Sequence, residues 1–253
     1  MMSIPRVIHQ QWGSQVIPAR YQSWVDSWKT HHPGWQHILW TDESCARFVR
    51  SHYPAHFLLY NSYDEDVKRY DAFRYFLMHH SGGLYVDLDF ECLASFDTLF
   101  ESGVTCVLGY EPDLHAKKLY GLEKLIGNAL IASAPGHRFW EHVFQLMASR
   151  SQEGVLEATG PKLLQQAIET YRHGDLALMD WQIFYPLVDF RNEALGLDGD
   201  QMRDVERMAR TRDYPEQALA VHHWMGTWYR GGFLAQLRRF IVRVRSRLGL
   251  GRH

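Results

Sequence analysis

Apolar and polar positions along this chain follow two periods, and the alternation between them predicts strands and helices in turn. Short apolar runs that stop at turn residues predict strands, and apolar positions three or four residues apart predict helices. The predicted strands span 6–12, 36–40, 84–89, 104–110 and 128–133, and the predicted helices span 21–31, 42–52, 64–80 and 135–147. Strands alternating with helices predict an α/β fold, a largely parallel sheet flanked by helices.

The clearest predicted helix, 64–80, carries two charged residues on its apolar side. The apolar stripe consists of Val67, Tyr70, Leu77 and Met78. Asp71 and Arg74 fall inside this stripe, and a spacing of three makes them neighbours on the helix surface. Buried charges are costly unless they are paired or bound. The pair is therefore either a structural salt bridge or a ligand site, with Asp71 on a sugar hydroxyl and Arg74 on a phosphate.

Two carboxylates stand at the end of the strand predicted over 84–89. Asp87 and Asp89 are two residues apart, so on a strand both point to the same side. In open α/β sheets, ligands bind at the carboxyl ends of the strands. Adjacent carboxylates raise each other's pKa unless a cation lies between them, and Mg²⁺ or Mn²⁺ prefers oxygen ligands. The motif predicts a metal site; taken alone, a solvated Asp-x-Asp is the alternative.

Charge and composition narrow the class of protein. With 46% hydrophobic and 22% charged residues the chain is globular, and we treat 1–230 as one domain. Six of its 27 basic residues and none of its 29 acidic residues lie in 231–253, so residues 1–230 hold 21 basic against 29 acidic side chains. The acidic charge of residues 1–230 does not favour binding to nucleic acid.

We expect no cleaved signal peptide, because the start of the sequence lacks an apolar region. We also expect no disulfides, because the three cysteines follow no spacing pattern.

Residues 69–75 (RYDAFRY) and 81–89 (SGGLYVDLD) closely resemble the sugar-binding region of the Asp-x-Asp glycosyltransferases of family thirty-two. This family includes yeast Golgi mannosyltransferases and bacterial capsule and lipopolysaccharide enzymes, and its core is shared with the large clostridial glucosylating toxins. The resemblance extends from residues 4–12 to 221–228. It implies a Rossmann-like GT-A fold, a nucleotide-sugar donor, Mn²⁺ or Mg²⁺, and retention of the anomeric configuration.

The resemblance also implies roles for individual residues on the donor side. Trp12 matches the aromatic residue that stacks on the nucleotide base, and Tyr85 matches the aromatic residue near the ribose. Asp71 and Arg74 match the pair that holds the donor sugar and the diphosphate. Asn128 resembles the asparagine near the transferred sugar, so that Asp71, Asn128 and the metal ligand Asp89 are the candidate catalytic residues.

The implied metal site combines the Asp-x-Asp motif with a histidine near the end of the chain. Asp87 matches the carboxylate on the ribose and metal side, and Asp89 matches the direct metal ligand. His222 or His223 completes the set, and the choice between them stays open. Thr227 and Trp228 match residues that close over the diphosphate.

We therefore expect a metal-dependent, retaining hexosyltransferase that acts in surface polysaccharide synthesis. UDP-sugars are the preferred donors and GDP-mannose is second, with a glycan or lipid-linked oligosaccharide as acceptor. A dehalogenase-type phosphohydrolase, with Asp87 as nucleophile and Asp89 as acid–base, is an alternative, but that family places its motif on the first strand. A non-catalytic relative is another alternative, although no candidate metal ligand is missing here.

The basic tail, 231–253, is predicted to form an amphipathic helix. Its apolar face consists of Phe233, Leu234, Leu237, Phe240, Ile241, Val244 and Leu248, and five arginines lie around it, at 238, 239, 243, 245 and 247. Helices of this kind lie on anionic membrane surfaces. We expect a cytoplasmic protein held peripherally at the inner face of the membrane. The alternative is that the helix docks on the acidic body.

Overall fold

The structure is a computed structural model that describes residues 3–226. The chain divides into two compact units, Met1–His223 and Trp224–His253, and every helix and strand of the described residues lies in the first unit. The predicted domain boundary at residue 230 and the predicted helix over 231–253 lie outside the described residues. Within residues 3–226, the longest helices are too short or too polar to cross a bilayer.

The first unit alternates strands and helices, as the sequence pattern predicts. The strands are β1 (Val7–Gln11), β2 (Gln36–Trp40), β3 (Gly83–Val86), β4 (Phe90–Cys92), β5 (Cys106–Tyr110), β6 (Ile126–Ser133), β7 (Ala177–Met179) and β8 (Ala220–His222). The helices are α1 (Ala19–His31), α2 (Asp42–His52), α3 (Pro54–Ser62), α4 (Asp66–His80), α5 (Asp97–Glu101), α6 (Asp113–Tyr120), α7 (Arg138–Ser149), α8 (Val155–Ala158), α9 (Pro161–Thr170), α10 (Trp181–Phe184) and α11 (Gly199–Thr211), with a 3₁₀ turn at Glu193–Leu195.

Among the described residues, six strands form one sheet in the order β2-β1-β3-β6-β5-β7. Five of them run parallel, and β6 runs antiparallel to its neighbours β3 and β5. This arrangement confirms the predicted mostly parallel α/β sheet. The strands β4 and β8 form a separate antiparallel pair, in which Phe90 lies opposite His222.

Helix α4 packs among the sheet and several other helices, which buries it more completely than one apolar stripe would. Phe73, Tyr75 and Phe76 are fully buried, whereas Val67 and Tyr70, both predicted in the stripe, are half-buried. Leu77 and Met78 of the predicted stripe are fully buried, but burial extends around the helix beyond the stripe. The reason is that α2, α3, α7 and α8 and the strands β3 and β6 all pack against α4.

The strand that leads to the Asp-x-Asp motif is shorter than predicted. It ends at Val86, and Asp87 to Asp89 form the turn into β4, with the Phe90 N–H donating to the Asp87 carbonyl at 3.2 Å. The prediction of a strand through Asp89 is wrong, because the chain leaves the main sheet here to pair with β8. The two acids thus lie just beyond the carboxyl end of β3, on a turn between two sheets.

The turn between α4 and β3 is held by a set of buried neutral groups that we call the turn cluster: His9, Trp40, Gly82 and Gly83. His9 Nδ1 accepts from Trp40 Nε1–H at 3.1 Å, so the neutral ring carries its proton on Nε2, which donates to the Gly82 carbonyl at 3.2 Å. Burial lowers the pKa of His9 to about 4, against the opposing effect of the Gly82 hydrogen bond. Gly83 has φ +95°, and a Cβ there would lie 2.7 Å from the Val7 carbonyl.

Candidate active site at the carboxyl edge of the sheet

Arg74 lies at the centre of a buried group of charges. Its side chain is 6% exposed, and Nη2 is 3.1 Å from Asp71 Oδ1 and 3.5 Å from Asp87 Oδ1. Its Nη1 donates to the Asn128 carbonyl at 2.6 Å, and the guanidinium lies over the Tyr85 ring, 4.7 Å from its centroid. Arg74 therefore connects helix α4, the turn after β3 and the start of β6. We call Asp71, Arg74, Asp87 and Asn128 the carboxylate cluster.

Asp71 is buried on helix α4 and accepts hydrogen bonds from two other parts of the chain. Asn128 Nδ2 donates to Oδ1 at 2.9 Å, and Thr159 Oγ1 lies 3.4 Å from Oδ2. Burial raises the pKa of Asp71 to about 7, and the Asp87 charge adds to the rise, while Arg74 and the two hydrogen bonds oppose it. The salt bridge with Arg74 is present, as the structural alternative requires, but it does not fully compensate the buried carboxylate.

Asp87 stands at the open side of the cluster, with 31% of its side chain exposed. The Tyr85 hydroxyl donates to Oδ1 at 2.8 Å, and the Asp87 N–H donates to the Ala129 carbonyl at 2.9 Å. Burial raises the pKa of Asp87, Arg74 opposes this, and the neighbouring Asp89 adds to it. The negative charges of Asp87 and Asp89 therefore repel each other at the carboxyl edge of the sheet.

His222 meets Asp89 on the inner side of the β4–β8 pair. Its Nε2 is 3.1 Å from Asp89 Oδ1, and its ring stacks on Phe90 with centroids 4.4 Å apart. Burial lowers the pKa of His222, but Asp89 and, further away, Asp87 and Glu111 raise it above its ordinary value overall.

His223 directly follows the last residue of β8 and contacts a different set of residues. Its Nε2 is 3.1 Å from Glu91 Oε2, and its ring stacks on Trp24 at 4.2 Å. Glu91 also pairs with Arg212. The structure therefore brings His222 to the Asp-x-Asp motif and His223 to a cleft of about 490 Å³ beside α1.

The other predicted site residues lie at the edge or outside the described residues. Trp12 follows β1, which is parallel to β3 with His9 opposite Tyr85, so Trp12 and Asp87 share the carboxyl edge. Trp12 is half-buried, and its ring packs on Tyr21 with centroids 5.5 Å apart. Thr227 and Trp228 lie outside the described residues.

The side chains at this edge suit a divalent cation. Asp87, Asp89 and His222 supply carboxylate oxygens and an imidazole nitrogen, all known ligands of Mn²⁺ and, for the oxygens, of Mg²⁺. In residues 3–226, no group of three or more His, Cys, Asp and Glu side chains is placed so that it could hold a metal ion. The electrostatic effect of Asp89 on Asp87 is one that a cation would relieve. The chemistry of the donors therefore suits a cation, while their arrangement in this structure does not form a three-ligand site.

Two residues of the site escaped the sequence analysis. Tyr75 bonds Asn128 through its hydroxyl, and Thr159 reaches Asp71 from the segment between α8 and α9. Tyr75 follows Asp71 by four residues, so helical spacing alone could have placed it on the same face. Thr159 precedes Gly160 and Pro161, a pattern that signals a helix start but says nothing about its neighbours in space.

A family model described as the glycosyltransferase sugar-binding region containing the DXD motif matches residues 18–104. Inositol phosphoceramide mannosyltransferase 1 of Schizosaccharomyces pombe is 40% identical over 115 residues, which are 44% of this chain and 36% of that protein. Mannosyl phosphorylinositol ceramide synthase CSH1 of Saccharomyces cerevisiae is 37% identical over 175 residues, 67% of this chain and 43% of that protein. The aligned part of this chain thus spans less than half the length of these two relatives.

Among solved structures, mouse xyloside xylosyltransferase 1 superposes with a TM-score of 0.53, covering 88% of this chain and 98% of that one at 10% identity. This likeness concerns the fold, which is GT-A. Together with the match over the Asp-x-x-Arg and Asp-x-Asp motifs, the relatives establish the family. The chain belongs to the glycosyltransferases that share the DXD-containing sugar-binding region.

Proposed function

We propose that this chain transfers a hexose from a nucleotide-sugar donor to a glycan or lipid-linked acceptor, with a divalent cation bound at the Asp-x-Asp motif. The observation on which the proposal rests is the carboxylate cluster. A single guanidinium, Arg74, lies between the buried Asp71 and the more open Asp87, at the sheet edge where α/β proteins bind ligands.

Different residues at the carboxyl edge of the sheet hold different parts of the donor. Asp71 and Asn128 hold the hydroxyls of the transferred sugar, and neither attacks it. Arg74 orients both carboxylates and adds positive charge near the diphosphate. Trp12 stacks on the base and Tyr85 lies near the ribose. Thr227 and Trp228 keep their predicted role at the diphosphate.

Asp87, Asp89 and His222 are the proposed ligands of Mn²⁺ or Mg²⁺. When bound, the cation neutralises the charge that develops on the leaving nucleoside diphosphate. His222 is favoured over His223 because its Nε2 is 3.1 Å from Asp89, whereas His223 contacts Glu91. A metal-bound imidazole carries no proton on the ligating nitrogen, so His222 would hold the cation in its neutral form.

The names of the relatives bear on the donor and acceptor. Both name mannosyl transfer or a mannosyl product, and both name an inositol phosphoceramide or a related ceramide. We therefore propose GDP-mannose ahead of the UDP-sugars that the sequence analysis preferred, and a phosphate-bearing lipid ahead of a surface polysaccharide. Retention of configuration remains part of the proposal because the family resemblance implies it. A cytoplasmic, peripheral location also remains part of it, because of the apolar and basic pattern of residues 231–253.

The donor class and the cation can be tested together by thermal shift. We expect GDP or UDP to raise Tm only when Mn²⁺ or Mg²⁺ is present, with GDP giving the larger shift, and the matching nucleotide-sugar to be consumed. Donor consumption that persists in excess chelator would contradict the metal dependence. If no nucleotide-sugar is consumed although a nucleotide binds, the chain is a non-catalytic relative.

The two adjacent histidines provide a matched pair of variants for the metal site. His222→Ala is expected to weaken Mn²⁺-dependent nucleotide binding about 10- to 100-fold, because it removes a ligand. His223→Ala removes an equal side chain one residue away and should leave this binding within about twofold. Equal losses in both variants would show that neither histidine is a specific ligand.

The proposed membrane contact has its own test. Truncation after Gly232 is expected to leave a folded enzyme that no longer sediments with anionic vesicles at low salt, because it removes the arginines of the tail. If the full chain ignores such vesicles, or if the truncated chain unfolds, the tail belongs to the folded body.

A further inference from the structure

Four residues of the site are joined in a closed ring of hydrogen bonds, in which Thr159 takes part through both its backbone carbonyl and its side chain. Asn128 Nδ2 donates to Asp71 Oδ1 at 2.9 Å and lies 3.3 Å from the Tyr75 hydroxyl. That hydroxyl donates to the Thr159 carbonyl at 2.6 Å, and Thr159 Oγ1 returns to Asp71 Oδ2 at 3.4 Å. The ring therefore closes on the Asp71 carboxylate and contacts both of its oxygens.

The ring draws on three separate parts of the chain. Asp71 and Tyr75 lie one turn apart on α4, Asn128 lies on β6, and Thr159 lies between α8 and α9. All four are buried, with Tyr75 and Thr159 at 0% exposure. A group with no exposed surface cannot touch a substrate in this conformation, so Tyr75 can act only through its neighbours.

The Tyr75 hydroxyl is itself held in place. Its aromatic ring stacks on Trp140 with centroids 5.7 Å apart and an interplanar angle of 14°. Trp140 in turn donates from Nε1 to Ser133 Oγ at 2.8 Å, which ties it to the end of β6. The stacked aromatic ring of Tyr75 therefore holds the hydroxyl in position beside Asn128 and Thr159. The stacking on Trp140 does not depend on the hydroxyl.

We infer that Tyr75 is a positioning residue of the donor-sugar site: its hydroxyl fixes the Asn128 amide and the Thr159 segment so that the Asp71 carboxylate keeps one orientation. This inference rests on the proposed function. Loss of the hydroxyl frees the amide of Asn128 to rotate and leaves the Thr159 carbonyl without its donor. Small misplacements of a group that orients a substrate are costly in rate. The contacts of Arg74 with Asp87 lie outside the ring and persist.

The test compares Tyr75→Phe with Tyr53→Phe. Tyr53 is a matched control, because its hydroxyl is bonded to His79 Nδ1 at 2.7 Å and its half-buried ring packs against the core beside α4. We expect Tyr75→Phe to lower kcat for donor consumption about tenfold. KM for the donor and the Kd of the free nucleoside diphosphate should stay within about twofold. Tyr53→Phe should leave all three unchanged.

A double-mutant cycle tests the ring itself. Thr159→Val removes the hydroxyl that reaches Asp71, and Thr159→Ser restores it. We expect Thr159→Val to lower kcat, Thr159→Ser to recover most of it, and the double variant Tyr75→Phe with Thr159→Val to lose little more than the larger single loss, because coupled groups are not additive.

The results of these experiments distinguish a wrong role for Tyr75 from a wrong proposed function. If Tyr75→Phe behaves like Tyr53→Phe, or if the two losses in the cycle are additive, the positioning role is wrong while the transferase stands. If nucleoside diphosphate binding falls in step with kcat, Tyr75 supports the fold and not the sugar site. If the wild type consumes no nucleotide-sugar, the proposed function fails and the inference fails with it.

Discussion

The two buried polar clusters that hold helix α4 differ in how well their charges are balanced. The turn cluster, at the end of the helix, contains neutral donors and acceptors in a chain from Trp40 through His9 to Gly82. The carboxylate cluster lies nearer the start of the helix. It contains one guanidinium, that of Arg74, and two carboxylates, those of Asp71 and Asp87. Burial lowers the pKa of His9 to about 4, which keeps it neutral, and raises the pKa of Asp71 to about 7.

This difference is the one expected between a structural cluster and a binding site. Matched neutral pairs fix the backbone and need nothing more, since each buried donor meets an acceptor. Buried carboxylates that outnumber their cation are costly, and a protein keeps them where a ligand supplies the missing charge. The comparison predicts that changes in the carboxylate cluster and its motif affect activity, whereas changes in the turn cluster affect stability.

The largest expected effect is the loss of activity in Asp89→Ala. Removal of a metal ligand should lower donor consumption at least about 1,000-fold, because the leaving diphosphate loses its counter-charge. The free energy of unfolding should change little. Steady-state kinetics and chemical denaturation measure the two quantities, with the exposed Asp204→Ala as control. An Asp89→Ala variant that keeps its activity would contradict the assigned metal site.

Gly83→Ala is expected to lower the stability of the protein and to change donor consumption little. The residue has φ +95° and its new Cβ would meet the Val7 carbonyl at 2.7 Å, so we expect a loss of about 3 kcal/mol in the free energy of unfolding. Gly34→Ala is the control, because a Cβ there meets nothing within 4 Å. Equal stability of the two variants in urea would show that the turn cluster tolerates a side chain.

The smallest effect is on the pH dependence of stability. The pKa of His9 is lowered to about 4, so between pH 4 and 6.5 the unfolded state binds more protons there, and stability rises with pH. The pKa of Asp71 is raised to about 7, so between pH 4 and 7 the folded state binds more protons, and stability falls with pH. We therefore expect His9→Gln to make the rise of stability with pH shallower and Asp71→Asn to make it steeper, measured by denaturation at three pH values.

Elements are predicted correctly where neighbouring residues in the sequence determine them. Strand β2 lies at the predicted residues 36–40, because an apolar run between clear turns determines it. The Asp-x-x-Arg and Asp-x-Asp motifs are local too, and both lie at the predicted edge. Helix α2 spans Asp42–His52, as predicted, and its N-cap is Thr41.

The helices and strands between residues 150 and 222 were not predicted, for two different reasons. Strands β7 and β8 have three residues each, too few for alternation to be visible. Helix α11 did have a signal, the capping box of Asp198 and Gln201. The contact of Thr159 with Asp71, 88 residues earlier, depends on tertiary packing that no local pattern contains.

The reversed strand β6 also affects the order in which the contacts of the carboxylate cluster form during synthesis. It lies between β3 and β5, so β5 leaves the ribosome with neither of its two neighbouring strands yet made. At ~5–20 residues per second the chain needs on the order of seconds to extend from Tyr110 to Ser133. Until then the edge of β3 stays open, and Asp71 and Arg74 lack Asn128. Translation of Ile126–Ser133 gives Asp71 and Arg74 their contacts with Asn128, and Thr159 and His222 join the cluster later in synthesis.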